Sequence, residues 1–253
     1  MRKIASALAA TIVAAGALVS PAGAQSLANR VAAVRDGVVH FHFAVRSDVC
    51  GNSETGFFTM RGRGADTGWQ GRPCIHGPMQ VELTRSAGRT STVRICIGCE
   101  ARDGSVEAGE IAPAEAARYL VSAAHSLSRH GASSALAAAT VADGVDISPE
   151  LTALVQDGSA SIETRKDALF WLGQSGAPTA NLARLYPQLA PIELREQFTF
   201  VLSQRRADSA AIEKLIDVAQ HDPELDVRKK AMFWLGQTHD PRAIQFFRSI
   251  LVR

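Results

Sequence analysis

Three stretches of this chain align without a gap: residues 165–174 (RKDALFWLGQ), 195–204 (REQFTFVLSQ) and 228–237 (RKKAMFWLGQ). Their starts lie 30 and 33 residues apart, and each has an acid two positions before its arginine: Glu163, Glu193 and Asp226. A helical repeat of this period cannot bury its apolar face alone. It has to stack on copies of itself, which makes an α-solenoid. This one feature predicts paired antiparallel helices over the second half of the chain, with Leu172, Leu202 and Leu235 buried.

The helical wheel gives each repeated residue a direction. At about 100° per residue, with Arg165 at zero, Ala168, Leu169 and Leu172 fall at roughly 300°, 40° and 340°, one apolar arc. Phe170 and Gln174 fall on the opposite side, and Trp171 on the flank. A helix this apolar must be covered on several sides. Phe170, Phe200 and Phe233 share one phase, with Gln174, Gln204 and Gln237 a turn further on. If these helices line the concave face, the six residues form a binding stripe, because solenoids use that surface for partners. If not, each Phe fills a seam between repeats. Arg165, Arg195 and Arg228 are expected to form a structural ladder with the preceding acids or those of the next repeat.

The acid-x-Arg opening, the Leu-Gly ending and the Asp240-Pro241-Arg242-Ala243 start of the following helix resemble a HEAT repeat in its short bacterial form. The resemblance covers about 149–251, with repeats near 149–187, 188–222 and 223–251, and 113–146 as a degenerate leading copy. Exported HEAT-repeat proteins with an N-terminal β segment are the similar ones. The resemblance implies a scaffold or partner-binding role and supplies no substrate. Some HEAT-like proteins attach or remove tetrapyrroles, which keeps an enzyme or ligand handler as the alternative.

Upstream, the period changes. Val39, Phe41, Phe43 and Val45 alternate with Val38, His40, His42 and Ala44, and Met79-Val81-Leu83 and Val93-Ile95-Ile97 repeat the alternation. That is the period of half-buried strands. The expected fold is α+β: mainly a HEAT-like α-α superhelix over 111–253, with a small antiparallel β segment over 25–110. Residues 25–36 read as a leader with a helical turn. The first 24 residues have the three parts of a secretory signal peptide: Arg2-Lys3, an apolar run to Val19, and a small-residue end. Cleavage is expected after Ala24, with no membrane span in the remainder and a periplasmic or extracellular location.

All four cysteines, Cys50, Cys74, Cys96 and Cys99, lie in the β segment. An even count in an exported chain reads as disulfides. Three pairings are possible. Cys50–Cys74 with Cys96–Cys99 is preferred, because the first closes the Gly-rich loop between the first two strands. Thiol redox chemistry at Cys96-Ile-Gly-Cys99 and zinc are the competing readings. His40 and His42 share a strand and read as polar residues of its exposed face. The Gly-rich stretch 62–68 lacks the ending of a phosphate loop.

Beyond residue 24 the chain carries 25 basic and 25 acidic side chains. That balance argues against a nucleic-acid binder, which needs a basic surface. No catalytic motif, metal-ligand spacing or cofactor signature is present. The expectation is a non-enzymatic scaffold for a protein or peptide partner of the cell envelope.

Overall fold

The computed structural model describes residues 25–51, 58–60 and 74–251. The expected signal peptide over 1–24, and most of the Gly-rich loop with its 62–68 stretch, lie outside the described residues. The chain opens with α1 (Leu27–Ala33). The strands β1 (Gly37–Phe43), β2 (Val49–Gly51), β3 (Phe58–Met60), β4 (Met79–Ser86), β5 (Arg89–Ile97) and β6 (Val106–Glu110) follow. Four of them form one sheet in the order β5-β4-β1-β6, while β2 and β3 pair as a separate ribbon.

The sheet is mixed, a correction to the antiparallel segment expected. β1 pairs antiparallel with β4 and β4 with β5, but β6 lies parallel to β1. The connection is responsible. The chain leaves β5 at one edge, and residues 98–105 carry it across to the far edge. Midway, the Arg102 N–H donates to Glu82 Oε1 at 2.9 Å. β6 is short and lacks an apolar alternation. Its register slips between His40 and Phe41, where Gly109 adopts a φ of 82°. Such a bulge favours glycine.

One sheet face is the alternation read from sequence: Val39, Phe41, Phe43, Met79, Val81, Leu83, Val93, Ile95 and Ile97 are all buried. The other face is polar without being open. His40 is 5 % exposed and Glu82 4 %, so the exposed position expected for His40 is corrected. His40 faces Glu82 across β4 and Glu107 across β6, and Glu82 faces Arg94 on β5.

The helices are α2 (Pro113–Ala124), α3 (Arg129–Thr140), α4 (Ser148–Gln156), α5 (Ile162–Gln174), α6 (Thr179–Leu185), α7 (Ile192–Ser203), α8 (Ser209–His221), α9 (Leu225–Thr238) and α10 (Pro241–Leu251). They form two layers. α3, α5, α7 and α9 pack along one another; α2, α4, α6, α8 and α10 make the other layer, where neighbours touch less. α4 with α5 and α8 with α9 are the most extensively packed hairpins of the repeat region. α4 and α5 both fall in the 149–187 span, whereas α8 and α9 pair across the boundary between the 188–222 and 223–251 spans. Leu172, Leu202 and Leu235 are 3 %, 0 % and 1 % exposed. α3 packs on β5 on one side and on α5 on the other. The sheet therefore covers the first end of the stack, and one hydrophobic core runs unbroken from Leu27 to Phe246.

Candidate functional site

The repeated helices α5, α7 and α9 lie side by side, so residues of equal phase come level with one another. Gly173, in the Leu-Gly-Gln ending of α5, is where α7 approaches most closely. A Cβ there would lie 2.3 Å from Val201 Cγ1. This contact brings Phe170 and Phe200 together, with rings 6.1 Å apart and stacked within 15°.

The stacked pair is the centre of a longer row. Trp171 meets Phe170 at 5.1 Å, Phe200 meets Trp234 at 5.1 Å, and Trp234 meets Phe233 at 4.9 Å. Five aromatic rings thus run in contact across three helices. Phe233 joins through Trp234 and is 56 % exposed, whereas the other four are half-buried. The row is both a seam at Phe170–Phe200 and an open surface at Phe233. The two tryptophans are links of the row, which the wheel, placing them on the flank, did not predict. The signal available was the Phe-Trp pair common to the first and third copies.

The three glutamines differ. Gln174 is half-buried, and its Oε1 has no hydrogen-bond partner among the described residues; the same holds for Trp234 Nε1. Gln204 is exposed and donates from Nε2 to Ser203 Oγ at 3.2 Å, and Gln237 is exposed. An unpaired buried polar atom has a desolvation cost that a partner or water can offset.

The arginine ladder is built differently from the expectation. Arg165 Nε donates to the Val155 carbonyl at 2.8 Å, and Arg228 Nη1 to the Asp222 carbonyl at 2.6 Å. Each thus reaches back to the end of the preceding helix, α4 or α8. The last carbonyls of a helix have no intrahelical donor, and a cation suits that end of the dipole. Arg195 differs from the other two and meets an acid, with Nε 3.6 Å from Oδ2 of Asp222, just after α8. Of the acids two residues ahead, Glu163 pairs with Lys166 and Arg129, and Asp226 with Lys229. The geometry is local: two residues apart on a helix are not neighbours.

Two polar clusters were not legible in the sequence. Tyr186 donates its hydroxyl to Asp222 Oδ2, the atom facing Arg195, and Lys214 Nζ stands 4.8 Å over the Tyr186 ring. Burial, and then the Asp222 carboxylate, hold the Tyr186 phenol well above its ordinary range. Arg205 donates to the Gly173 and Ala177 carbonyls at 2.7 and 2.6 Å, closing the end of α5. Its burial pushes the guanidinium below its usual value.

In the β segment, Cys50 faces Cys74 and Cys96 faces Cys99, each pair at disulfide distance. His40 Nδ1 is 2.5 Å from Glu107 Oε2, and its Nε2 is 2.8 Å from Gln80 Oε1. Burial opposes ionisation of Glu107, but the His40 and Gly109 hydrogen bonds outweigh it and hold the carboxyl below its ordinary range. A cleft of about 410 Å³ is lined by His42, Arg46, His76 and Glu110, and another of about 350 Å³ opens between α4 and α6. Among the described residues, no group of three or more His, Cys, Asp or Glu side chains is placed to hold a metal ion. No helix among them is long and apolar enough to cross a membrane.

Residues 227–252, which span α9 and α10, match the model of the PBS lyase HEAT-like repeat. No curated protein and no solved structure matches the chain. The C-terminal helical region of this α+β chain thus contains a PBS lyase HEAT-like repeat, matched over its last two helices.

Proposed function

We propose that this chain is a non-enzymatic, exported scaffold that holds a protein or peptide partner on the concave face of its solenoid, formed by α5, α7 and α9. The ring row from Trp171 to Phe233 carries this reading. A contiguous aromatic row, half-buried along its length and open at Phe233, offers apolar area of the kind that marks interaction surfaces. The closer packing of the α5–α7–α9 layer supports the concave assignment, since the inner layer of a curved stack is the compressed one. Phe170, Phe200 and Phe233 supply apolar area, and Gln174, Gln204 and Gln237 supply donors and acceptors for a partner's backbone.

The pairing of all four cysteines at disulfide distance supports a structural role for them in an oxidising compartment, as the apolar leader before Gln25 does. It also weighs against the alternative of thiol chemistry.

The test is selection of binding peptides from a displayed library on the immobilised chain. Peptides that bind the chain but lose binding to the Phe200→Ala and Gln204→Ala variants support the reading. Selected peptides that bind both variants as well as the parent would place the binding surface elsewhere.

A further inference from the structure

The three repeated arginines are not equally used. Arg165 and Arg228 bond carbonyls at the end of the preceding helix. Arg195 makes no hydrogen bond among the described residues, although only 15 % of its side chain is exposed. Its ion-pair contact, 3.6 Å to Asp222 Oδ2, is beyond hydrogen-bond reach. The reason is local. α6, the helix before Arg195, passes into a single 3₁₀ turn, Tyr186–Gln188. The carbonyls there already have donors. That of Arg184 accepts from Gln188 Nε2 at 3.2 Å, that of Tyr186 from the Leu189 N–H at 3.0 Å, and that of Gln188 from the Ala190 N–H at 3.1 Å. A guanidinium has a fork of N–H donors, and one this buried needs acceptors that this part of the chain does not supply.

Arg195 lines a cleft of about 210 Å³ between the turn after α6 and the turn after α8. Pro187, Leu189, Val218 and Pro223 give the cleft an apolar wall. Two acids line it as well, and both are supplied with donors by other groups. Asp222 Oδ1 accepts from the Glu224 N–H at 2.8 Å, and its Oδ2 accepts from the Tyr186 hydroxyl. Asp217 lies 2.6 Å from Lys214 Nζ and 3.0 Å from His221 Nδ1. The Arg195 fork is the donor set left over. Arg195 and Lys214 balance the charges of Asp217 and Asp222, so one added negative charge beside the guanidinium is tolerated. A dianion such as phosphate would face two carboxylates.

We infer that this cleft binds a carboxylate carried on a short apolar stem, with both carboxylate oxygens paired to the Arg195 guanidinium and the stem against the apolar wall. The planar fork of arginine matches the two oxygens of a carboxylate. The Tyr186 hydroxyl keeps Asp222 Oδ2 occupied, so that this acid does not close on Arg195 itself. At about 30 Å³ per water-sized group the cleft holds roughly seven non-hydrogen atoms, which selects a short stem. Two sources present this group: a free short-chain acid, and the C-terminal residue of a peptide that ends in a small aliphatic side chain. The site stands apart from the ring row, on the first turn of α7 instead of its middle.

Titration of the purified chain with isobutyrate, followed by NMR at the Arg195 Nε–H and at the Leu189 and Val218 methyl groups, tests this. The expected result is a saturable shift at all three. Isobutyramide, of the same shape without the charge, should give none, and inorganic phosphate should bind more weakly. Arg195→Gln should weaken isobutyrate binding by about tenfold or more, read at the methyl groups. Arg195→Lys, which keeps the charge and loses the fork, should weaken it too and decides the matter if the glutamine variant loses helix. Acetyl-alanyl-valine separates the sources. Tighter binding than isobutyrate, lost on amidation of its C-terminus, identifies a chain terminus; weaker binding identifies a free short acid. Both place a carboxylate in the cleft. No saturable shift in the parent chain, equal binding of isobutyramide or phosphate, or full binding by a folded Arg195 variant would each overturn the inference.

Discussion

Gly173 and Val201 are in such close register that a single added methyl at position 173 would lie 2.3 Å from Val201 Cγ1. This contact holds α5 against α7 and sets the stacking of Phe170 on Phe200. It also makes the two glycines of the repeated Leu-Gly-Gln motif unequal. Gly173→Ala is expected to destabilise by about 1–3 kcal/mol through overpacking against a β-branched side chain with one preferred rotamer. Gly236→Ala is expected to stabilise by up to about 1 kcal/mol, since alanine is the better helix former and nothing is in its way. Urea denaturation of both variants checks the pair, and equal effects at the two sites would contradict the asymmetry.

Phe200 and Phe233 should also part company. Phe200 is half-buried between Phe170 and Trp234, so Phe200→Ala is expected to cost about 2–3 kcal/mol, below the ~3–5 typical of a fully buried ring. Phe233 is 56 % exposed, and Phe233→Ala should cost under about 1 kcal/mol. Thermal melting of the two single variants is sufficient. A larger drop for Phe233 would mean that the row is anchored at the wrong end.

Arg165 and Arg228 act as helix caps, not as partners of the acids two residues ahead. Arg228→Met keeps the aliphatic stem and removes the hydrogen bonds to the Asp222 and Pro223 carbonyls. The expected loss is about 1–2 kcal/mol, the range for charged hydrogen bonds at a helix C-terminus. Asp226→Asn, by contrast, should change stability by less than about 0.5 kcal/mol, because its ion pair with Lys229 is exposed.

Asp167 makes a pH-dependent prediction. Burial raises its carboxyl above the ordinary value, against the opposing hydrogen bond from Ser133. A folded-state value above the unfolded one means that ionisation favours unfolding. The Asp167 contribution is therefore destabilising at neutral pH and disappears as pH falls below the unfolded value. Asp167→Asn should raise stability at neutral pH, and the gain should vanish in acid. Asp208 has the opposite sign: the hydrogen bond from Thr179, and then those from backbone N–H groups, outweigh burial and lower its carboxyl. Its contribution is present above the unfolded value and is lost as pH falls through the folded one. Asp208→Asn should reduce stability at neutral pH and leave it unchanged at the acid end. Denaturation midpoints measured across pH for the two variants should diverge in these opposite senses.

No thiol is expected to label before reduction, since Cys50 is placed to bond Cys74 and Cys96 to bond Cys99. Closing a loop of this length restricts the unfolded chain, and Cys50→Ser with Cys74→Ser should cost about 3 kcal/mol. Alkylation under denaturing conditions, followed by mass measurement, reads the thiol count directly. Two labelled thiols per chain would revive the zinc or redox readings of Cys96 and Cys99.

The sequence by itself determined the periodic part of this protein. Helix and strand periods, the three-copy repeat and the burial of Leu172, Leu202 and Leu235 all follow from which side of an element is apolar, a property each segment carries locally. The two cysteine pairs were legible as one of three pairings. Tertiary structure alone decided whatever depends on a second element. β6 turned parallel because the 98–105 crossover had to reach the far edge of the sheet, and the same crossover is what places Arg102 against the buried Glu82. Arg165 and Arg228 found carbonyls because residues two apart on a helix diverge, while the end of the preceding helix lies within reach. Identical Phe-Trp-Leu-Gly-Gln segments became a closed seam at α5 and an open surface at α9. A segment's own pattern states what must be covered; only its neighbours decide whether it is.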